Sequence, residues 1–326
     1  MNSSTDSARG PVTSLTQHWD RFWFSPADPH TLALIRILAG AMLFYTHFVW
    51  ALDLEAFLGP ASWTSREFWE LFHAAPDDGM VHAWSYLWYL KTPHALWTAH
   101  VLALLVFGML TIGLFTRVIS ILAWLITVAY CHRLTGSLFG LDQINAMLAM
   151  YLMIGPAAAT YSVDQWWRNK RAGGSSVVQP SVAANISIRL LQLHMCIIYL
   201  FGGLAKMRGT DWWDGSATWY SIANLEYQSL DMTWLASYPI LIALLTHVTV
   251  FWETFYCFLI WPRLTRPWML AIAVSIHGSI AIFLGMMTFG LVMLIGNLAF
   301  VPPTLMKSAV EQTTGRLLQF RNLKSQ

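Results

Sequence analysis

Four polar side chains recur along one apolar stretch of the chain at spacings that place them on a single helical face. Arg189, Gln192, Tyr199 and Lys206 follow one another at steps of three or seven residues, and a helix brings residues at such intervals to the same side. The rest of this stretch is mainly Leu, Ile, Met and Phe. A polar stripe within lipid must face other protein or a watery cavity. In such a cavity the Lys206 amine is a candidate base, because a lysine taken out of water is more easily deprotonated.

The two cations of this stripe also allow a simpler interpretation. Arg189 and Lys206 are roughly 25 Å apart along a helix that rises 1.5 Å per residue, which is about the thickness of the hydrocarbon layer. Both could therefore anchor the helix ends by reaching the two interfaces. Gln192 and Tyr199 lie between them, and these two side chains favour an internal polar site over simple anchoring.

Two more titratable groups complete the candidate chemistry. Asp142 opens an apolar segment on the side of the membrane where the Lys206 segment ends. We expect the two to meet as an acid and a base in one pocket, with a structural ion pair as the alternative. His277 lies within a later apolar segment, either as part of a site or as a hydrogen-bonded core residue. A further acid, Glu253, is expected to find its partner among Arg36, Arg189 and Arg266.

The composition identifies an integral membrane protein. Hydrophobic residues make up 56% of the 326-residue chain and charged residues 11%, whereas soluble domains carry about 25% charged residues. The mean hydropathy is +0.49. A formal net charge of +2 gives no reason to expect nucleic acid as a partner, and membrane lipid is the expected partner instead. The predicted fold class is an all-α membrane protein.

Apolar segments predict about eight transmembrane helices in one domain. Two longer Trp-rich stretches interrupt them, between the first and second spans and between the fifth and sixth. Indole rings prefer the interface, so these stretches are predicted to form short interfacial helices. Trp-rich positions of the first stretch are Trp63, Trp69, Trp84 and Trp88. The predicted spans are residues 31–52, 94–115, 118–134, 143–161, 188–207, 233–261, 268–285 and 288–300.

Loop charges predict the orientation of the chain. An even number of spans puts both termini on one side of the membrane. Of the 19 Lys and Arg residues, twelve are predicted on the terminal side, five on the opposite side and two, Arg36 and Arg189, within spans. Cytoplasmic loops carry the excess of Lys and Arg. We therefore expect a multi-pass protein of the cell (inner, or cytoplasmic) membrane with both termini cytoplasmic.

Four segments of the chain together resemble the HTTM family, the membrane domain shared with vitamin K-dependent gamma-carboxylases. In chain order they are PADPHTLALIRILAG, GLDQINAMLAMYLMIGPAAATYSVD, QLHMCIIYLFGGLAKMRGTDWWDG and HGSIAIFLGMMTFGLVML. The third segment is the most specific of the four. The resemblance implies a family domain at residues 24–303, with cytoplasmic tails at residues 1–23 and 304–326.

The resemblance also implies a chemistry. In the carboxylases a lysine in the third segment is the proposed base that deprotonates vitamin K hydroquinone, and it falls on Lys206. A histidine in the late segment is also implicated, and it falls on His277. Together with Asp142 these form the predicted catalytic set. The predicted cofactor-binding residues are Arg36, Arg189, Gln192 and Tyr199. The implied cofactor is a reduced quinone of the vitamin K or menaquinol type, which makes a lipophilic quinol a partner, and no metal is predicted.

The chain departs from the carboxylase pattern at three places. Leu141 and Asp142 stand where the carboxylases have a histidine. Ile280 stands where an asparagine normally follows the late histidine. The sequence up to Gln326 contains no counterpart of the large lumenal domain that recognises protein substrates, so the protein substrate is unknown.

Two functions from different classes follow from these observations. The first is a quinol-dependent epoxidase or carboxylase-like enzyme with Lys206 as base. The second is a non-enzymatic membrane protein, such as an immunity, export or lipid-binding factor, because a fold alone does not determine function. A transporter is less favoured, since the sequence shows neither a regular internal repeat nor paired broken helices.

Overall fold

The secondary structure consists of helices and one isolated backbone pairing in the part of the chain that the computed structural model describes, residues 11–63, 65, 68, 71, 84–175 and 177–323. Trp69, which the sequence placed in an interfacial helix, lies outside the described residues, as do residues 1–10 and 324–326 of the two predicted tails. The helices are α1 (Pro11–Phe24), α2 (His30–Trp50), α3 (Leu54–Leu58), α4 (Pro93–Ile112), α5 (Thr116–Arg133), α6 (Gly140–Leu152), α7 (Val163–Arg171), α8 (Val182–Lys206), α9 (Thr210–Trp213), α10 (Ala217–Ile222), α11 (Pro239–Leu259), α12 (Arg266–Phe283), α13 (Met287–Asn297) and α14 (Pro303–Leu323).

Short helices occupy the described parts of both Trp-rich stretches. The first stretch contains α3 and the 3₁₀ turns Ala51–Asp53 and Tyr86–Tyr89, and the second contains α9, α10 and the 3₁₀ turn Thr233–Ser237. The exposed indoles of these stretches include Trp213 in α9, and Trp63 and Trp84, which lie outside the short helices. Exposed indoles on short helices are typical of segments that lie at the membrane interface.

Five helical segments among the described residues are long and apolar enough to cross a membrane. They are His30–Leu58, Pro93–Ile112, Val182–Lys206, Pro239–Leu259 and Arg266–Phe283. The other three predicted spans correspond to α5, α6 and α13 and are not in this set. Helix α6 ends at Leu152, well before the predicted end of the fourth span at residue 161. The reason is Pro156, which has no backbone N–H and disfavours a helical residue before it.

Close backbone contact fixes the pairing of α8 with α11. A Cβ atom built on Gly203 would lie 2.5 Å from Thr254 Oγ1 and 2.7 Å from the Thr254 backbone nitrogen. Tyr199, one turn earlier on α8, packs its ring 4.3 Å from the ring of Tyr256, later on α11. The two helices are therefore antiparallel, and glycine allows them to approach closely enough for the polar stripe of α8 to face α11.

Two hydrophobic cores organise the helices. The larger core is built by α2, α6, α8, α11, α12 and α13, and it contains the buried rings of Tyr199, Trp252 and Tyr256. The smaller core joins α2 to α4 and α5 around Leu43, Phe107 and Tyr130. Helix α2 belongs to both cores, so it connects the half of the bundle that carries the polar stripe to the other half.

Both ends of the described chain lie at the end of the bundle where α2 begins, which we call the terminal face. Thr31 Oγ1 donates a hydrogen bond to the Val301 carbonyl just before α14, at 3.4 Å. Ala27 and Ser181 pair through two backbone hydrogen bonds of 3.0 Å, which brings the start of α8 to the same face. The segment between α2 and α14 therefore returns to the side from which it left.

Ser162 and Gln165 have the sequence spacing of a capping box, which predicts a short helix after Ser162, and α7 begins there. The Ser162 hydroxyl accepts a hydrogen bond from the Gln165 backbone N–H at 2.9 Å. The Gln165 side chain accepts from the Tyr161 backbone N–H, also at 2.9 Å, whereas in a standard capping box it would accept from the capping serine itself. The prediction of a short helix at this point is confirmed.

Candidate functional site

The structure pairs Lys206 with Glu253. The Lys206 Nζ atom donates to Glu253 Oε2 at 2.6 Å, and the two side chains are 29% and 12% exposed. The prediction that Lys206 meets Asp142 is wrong, and so is the prediction that Glu253 pairs with an arginine. The close approach of α8 to α11 explains both errors, because it sets Glu253 directly beside the last turn of α8.

The segment after α8 folds back over the ion pair. The Trp212 ring lies 5.4 Å from Lys206 Nζ, which is cation–π distance. Gly215 follows with φ +87°, a conformation that favours glycine, and a Cβ atom there would lie 2.7 Å from the Ala243 side chain. The spacing of lysine, Asp-Trp and glycine that made this segment specific in sequence therefore has a structural cause. It turns the chain so that an indole covers the lysine.

A chain of hydrogen bonds runs through the core below this ion pair. Tyr256 donates to Asn297 Oδ1 at 2.6 Å, Asn297 Nδ2 lies 2.7 Å from the Tyr199 hydroxyl, and Tyr199 lies 2.8 Å from His277 Nε2. Tyr199 is 2% exposed, and His277 and Asn297 are also buried. The four side chains come from α8, α11, α12 and α13, so the chain joins four helices.

The geometry also gives this chain a direction. Asn297 Nδ2 donates to the Met293 carbonyl at 2.9 Å, which identifies the amide nitrogen, since a carbonyl only accepts. The same nitrogen then donates to the Tyr199 oxygen, which leaves the Tyr199 proton for His277 Nε2. In neutral His277 the ring proton is therefore on Nδ1, and that atom is buried with no hydrogen-bond partner among the described residues.

Lys206, Tyr199 and His277 thus lie in one neighbourhood. Tyr199 precedes Lys206 by seven residues on the same face of α8, and its hydroxyl contacts His277. A Cβ atom on Gly202 would lie 3.3 Å from Glu253 Oε2 and 3.9 Å from Lys206 Nζ. The arrangement combines an acid–base pair at the rim of the core with a neutral hydrogen-bonded relay beneath it.

Asp142 lies elsewhere, at the start of α6. Its carboxylate accepts a hydrogen bond from the Phe139 backbone N–H at 2.9 Å, which caps its own helix. It also lines a cavity of about 950 Å³ at the end of the bundle opposite the terminal face, which we call the opposite cavity. Aromatic side chains line this cavity, among them Trp50, Phe139 and Phe289. Lys206 is not among the lining residues.

Arg36 has a contact set that ties the first half of the bundle together. It is fully buried, and its guanidinium donates to the carbonyls of Leu110 at 3.1 Å and Tyr161 at 2.6 Å. A Cβ atom on Gly113, whose φ is +73°, would lie 1.9 Å from Arg36 Nη1. Arg36 therefore satisfies a carbonyl at the C-terminal end of α4. This predicted cofactor-binding residue contacts α4 and the segment before α7, and not the Lys206 pair.

Arg189 and Gln192 lie at the terminal end of the α8 stripe. Arg189 donates to Gln192 Oε1 at 3.0 Å and stacks its guanidinium 4.4 Å from the Phe22 ring. Gln192, 8% exposed, donates to the Ala299 carbonyl at 2.8 Å. The polar stripe predicted from the spacing faces protein at Gln192 and Tyr199. At its two ends, Arg189 contacts Gln192 and Phe22, whereas Lys206 contacts Glu253.

Sequence reasoning missed two members of the buried arrangement, Tyr256 and Asn297, and it identified Glu253 as a candidate but assigned it the wrong partner. Glu253 is the single charged residue of α11, and an isolated acid in an apolar segment signals an internal partner. Asn297 is likewise the single amide of α13. Both signals were in the sequence, but neither indicates which helix supplies the partner.

The cysteines take no part in this arrangement. Cys131, Cys196 and Cys257 lie in apolar segments of the sequence with no Cys-x-x-Cys pair, and all three are free thiols. Within the described ranges, no group of three or more His, Cys, Asp and Glu side chains is arranged to hold a metal ion.

Comparisons with known proteins place this chain in a family. The family model described as "HTTM domain" matches residues 24–304. A relative from Bacillus subtilis (strain 168), "Uncharacterized protein YitO", is 25% identical over 196 residues. That match covers 57% of this chain and 60% of the relative's length. No solved structure matches the chain. The family match spans most of the sequence and includes the Lys206, His277 and Asn297 segments, and the chain therefore belongs to the HTTM family of membrane proteins related to gamma-carboxylase.

Proposed function

We propose that the protein is a quinol-dependent membrane enzyme in which the Lys206–Glu253 pair takes a proton from the substrate. The observation that carries this proposal is the pair itself, a lysine and a glutamate 2.6 Å apart on membrane helices. Residues of this kind are expensive within lipid and usually serve function. The resemblance to gamma-carboxylases, in which the matching lysine is the proposed base, supports the same role.

The pair can hold one additional proton in two ways. When Lys206 is charged, the Glu253 carboxylate is the acceptor. When the proton of the pair has moved to Glu253, across a contact in which Nζ and Oε2 are 2.6 Å apart, the Lys206 amine has a free lone pair and is the acceptor. The charged pair and the neutral pair, in which Glu253 holds the proton, are closer in energy at low dielectric than in water, because desolvation penalises both charges of the charged pair. Lys206 as base thus requires Glu253 as its proton partner.

The side chains around the pair suit a lipophilic aromatic ligand. A reduced quinone bound there would supply reducing equivalents for an epoxidase or carboxylase-like reaction. Trp212 offers a ring surface next to Lys206 Nζ, and the 29% exposure of Lys206 leaves an approach to it. The His277 Nδ1 atom, buried without a partner in the described residues, is a polar group that a ligand or a water can satisfy. Tyr199 and Asn297 would orient His277.

Quinol turnover tests the proposal. We expect wild-type protein in detergent to oxidise a menaquinol-type substrate in air, and Lys206→Met and Glu253→Gln each to lower kcat by about 100-fold or more, in the upper part of the range for general acid–base residues. Lys91→Met is the matched control, because Lys91 is an exposed lysine remote from the pair, and it should keep wild-type turnover. Turnover that is equal in all four proteins would exclude the pair as the acid–base group.

A non-enzymatic lipid-binding function is the second candidate, and the opposite cavity favours it. The cavity volume of about 950 Å³ is in the range of ligand pockets, but Lys206 does not line it. The variant Ser137→Trp, at the wall of this cavity, separates the two candidates when both quinol turnover and lipid retained by the purified protein are measured. A wild type that retains lipid but does not oxidise quinol, and a Ser137→Trp protein that loses this lipid, would support the binding protein. Turnover that survives Ser137→Trp would support the enzyme.

We also propose that α5, α6 and α13 cross the membrane with the five longer helices, which gives eight spans and cytoplasmic termini in the cell membrane. The charge asymmetry of the loops supports this orientation, and the hydrogen bond between Thr31 and Val301 is in keeping with an even number of crossings. Cysteines introduced at Leu225 and Thr304, both exposed, test it in a cysteine-free background. We expect Leu225→Cys to react with an impermeant maleimide in intact cells, and Thr304→Cys to react only after lysis. The reverse pattern would overturn the orientation.

A further inference from the structure

A second cavity lies at the terminal face of the bundle, far from the Lys206 pair. Its volume is about 700 Å³, and we call it the terminal cavity. It lies between the start of α5, the segment that follows α6, helix α7 and the residues leading into α8. Its polar lining residues include Thr116, Arg117, Asp164, Arg168, Gln179 and Ser181.

Two arginines are held at the wall of this cavity by backbone carbonyls. Arg117 Nη1 donates to the Met153 carbonyl at 3.1 Å, and Arg168 Nη2 donates to the Ala158 carbonyl at 2.7 Å. A guanidinium carries five N–H donors, and the contacts found in the described part of the chain use one on each arginine. The remaining donors can bind an anion, and the carbonyl contacts restrict the guanidiniums in advance. Two held guanidiniums suit the oxygens of a phosphate group.

A buried hydroxyl adds a neutral donor to the same wall. Thr116 is 4% exposed and lines the cavity. Its Oγ1 atom is buried and has no hydrogen-bond partner in the ranges the structure describes. Buried hydroxyls are normally hydrogen-bonded, and an exception needs an explanation. A ligand oxygen in the terminal cavity would provide the partner.

The acid of the cavity, Asp164, forms no ion pair with Arg117 or Arg168 among the described contacts. Both oxygens of Asp164 accept backbone N–H bonds at 2.8 Å, from Phe115 and from Thr116. The carboxylate is therefore directed at the start of α5. The charged lining residues are two cations and one acid, so the lining carries a net positive charge that favours an anion.

The surroundings of the cavity are those of a membrane interface. Helix α7 has an exposed indole, Trp166, over which Lys170 lies at 5.3 Å from the ring centroid. Its last turn carries Arg168, Lys170 and Arg171. Indoles with adjacent cations are typical of a helix at the level of the lipid headgroups. The cavity is also large enough for a headgroup, since ligand pockets are about 300–1,000 Å³.

We propose that the terminal cavity is a phosphate-binding site in which Arg117 and Arg168 bind the phosphate oxygens and Thr116 donates a third hydrogen bond. The phosphate belongs either to an anionic phospholipid headgroup or to a free phosphate compound. The site is independent of the quinol chemistry at Lys206, because no residue of the pair or the relay lines this cavity.

Ligand binding to the full chain in detergent tests the site. The two probes are phosphatidylglycerol, followed by native mass spectrometry, and inorganic phosphate, followed by thermal unfolding. We expect the Arg117→Gln, Arg168→Gln double variant to weaken binding of the effective probe by about tenfold or more, since charge-assisted hydrogen bonds are lost. Thr116→Val should weaken it by about threefold. Binding of phosphatidylglycerol that phosphate does not displace identifies a lipid headgroup, and binding of phosphate without preference for the lipid identifies a free compound.

The matched control removes two cations from α7, the helix of Arg168, at positions that do not line the cavity. Lys170 and Arg171 do not line it, and the Lys170→Gln, Arg171→Gln variant should bind the probe within about twofold of wild type. Equal weakening in both double variants would overturn the proposal in favour of diffuse surface charge. The proposal would also be overturned if neither probe binds the wild type more tightly than it binds Thr116→Val. If the arginine double variant does not fold, Arg168→Lys takes its place. Lysine can still donate to the Ala158 carbonyl, but it lacks the paired N–H donors of a guanidinium. This variant should therefore also bind the probe more weakly than wild type.

Discussion

Lys206→Met should destabilise the protein by about 3 kcal/mol, near the lower end of the 3–5 kcal/mol range for breaking a buried ion pair. The Glu253 carboxylate would be left 12% exposed and without its cation. The 29% exposure of Lys206 moves the expected value toward the lower end, because part of the pair remains accessible. The measurement is unfolding in detergent, by heat or by denaturant.

The two halves of the pair should not be equivalent. In Glu253→Gln the amide can still accept a hydrogen bond, and the flexible Lys206 stem can carry its charge toward water. This variant should therefore lose less stability than Lys206→Met. In the double variant the unpaired charge is gone, so much of the loss should be recovered. A double variant as unstable as the sum of the singles would contradict a direct ion pair.

Asp142 provides the comparison for this cycle. Because Lys206 and Asp142 have no hydrogen-bond partner in common in the described contacts, the effects of Lys206→Met and Asp142→Asn should add within about 0.3–0.5 kcal/mol. Strong rescue by Asp142→Asn would instead support the pairing that the sequence suggested. Lys91→Met should leave the free energy of unfolding within about 0.5 kcal/mol of wild type, as expected for a surface change.

Gly203→Ala should also be strongly destabilising, by about 3 kcal/mol. The new methyl group would lie 2.5 Å from Thr254 Oγ1, 2.7 Å from the Thr254 nitrogen and 3.0 Å from its Cα. Backbone atoms of α11 cannot rotate away as a side chain can, so the two helices must separate. Overpacking of this kind typically costs about 1–3 kcal/mol. The same displacement would lengthen the contact between Lys206 and Glu253, so quinol turnover should fall together with stability.

Two other glycines isolate the cause. A methyl group on Gly202 would meet the end of the Glu253 side chain at 3.3 Å, and that side chain can adjust. A methyl group on Gly278 would meet nothing within 4 Å, so Gly278→Ala should be neutral or stabilising by up to about 1 kcal/mol through helix propensity. Thermal unfolding of all three variants checks the order. A Gly203→Ala protein as stable as Gly278→Ala would show that the helices are not in backbone contact.

Periodicity predicted the buried face of α8 but not what lies against it. The three- and seven-residue steps correctly placed Gln192 and Tyr199 inside the protein, because a helix converts spacing into direction. The partner of Lys206 depends on which helix packs against that face. This was set by Gly203, a residue whose contribution is the absence of a side chain. A pattern of polar residues does not carry that information.

The apolar segments predicted the helices better than they predicted the spans. The first predicted span, residues 31–52, corresponds closely to α2, His30–Trp50. The fourth was too long, since hydropathy continued past Leu152 while Pro156 ended the helical geometry. Asp142 was misread for a related reason. An acid at the start of a helix can cap that helix, and Asp142 does so instead of reaching across the bundle.

The contacts of Arg36 have a consequence for how the chain is made. Helix α2 precedes the other membrane-spanning helices of the described chain, and it carries a cation, a kind of residue that costs about 2.5–3.5 kcal/mol at the centre of a span on insertion scales. The second carbonyl that accepts from this guanidinium belongs to Tyr161, 125 residues further along the chain. During synthesis Arg36 must therefore remain near the headgroups until α4 and the segment after α6 have arrived. A helix that is made before its partners is thus among the last to reach its final depth.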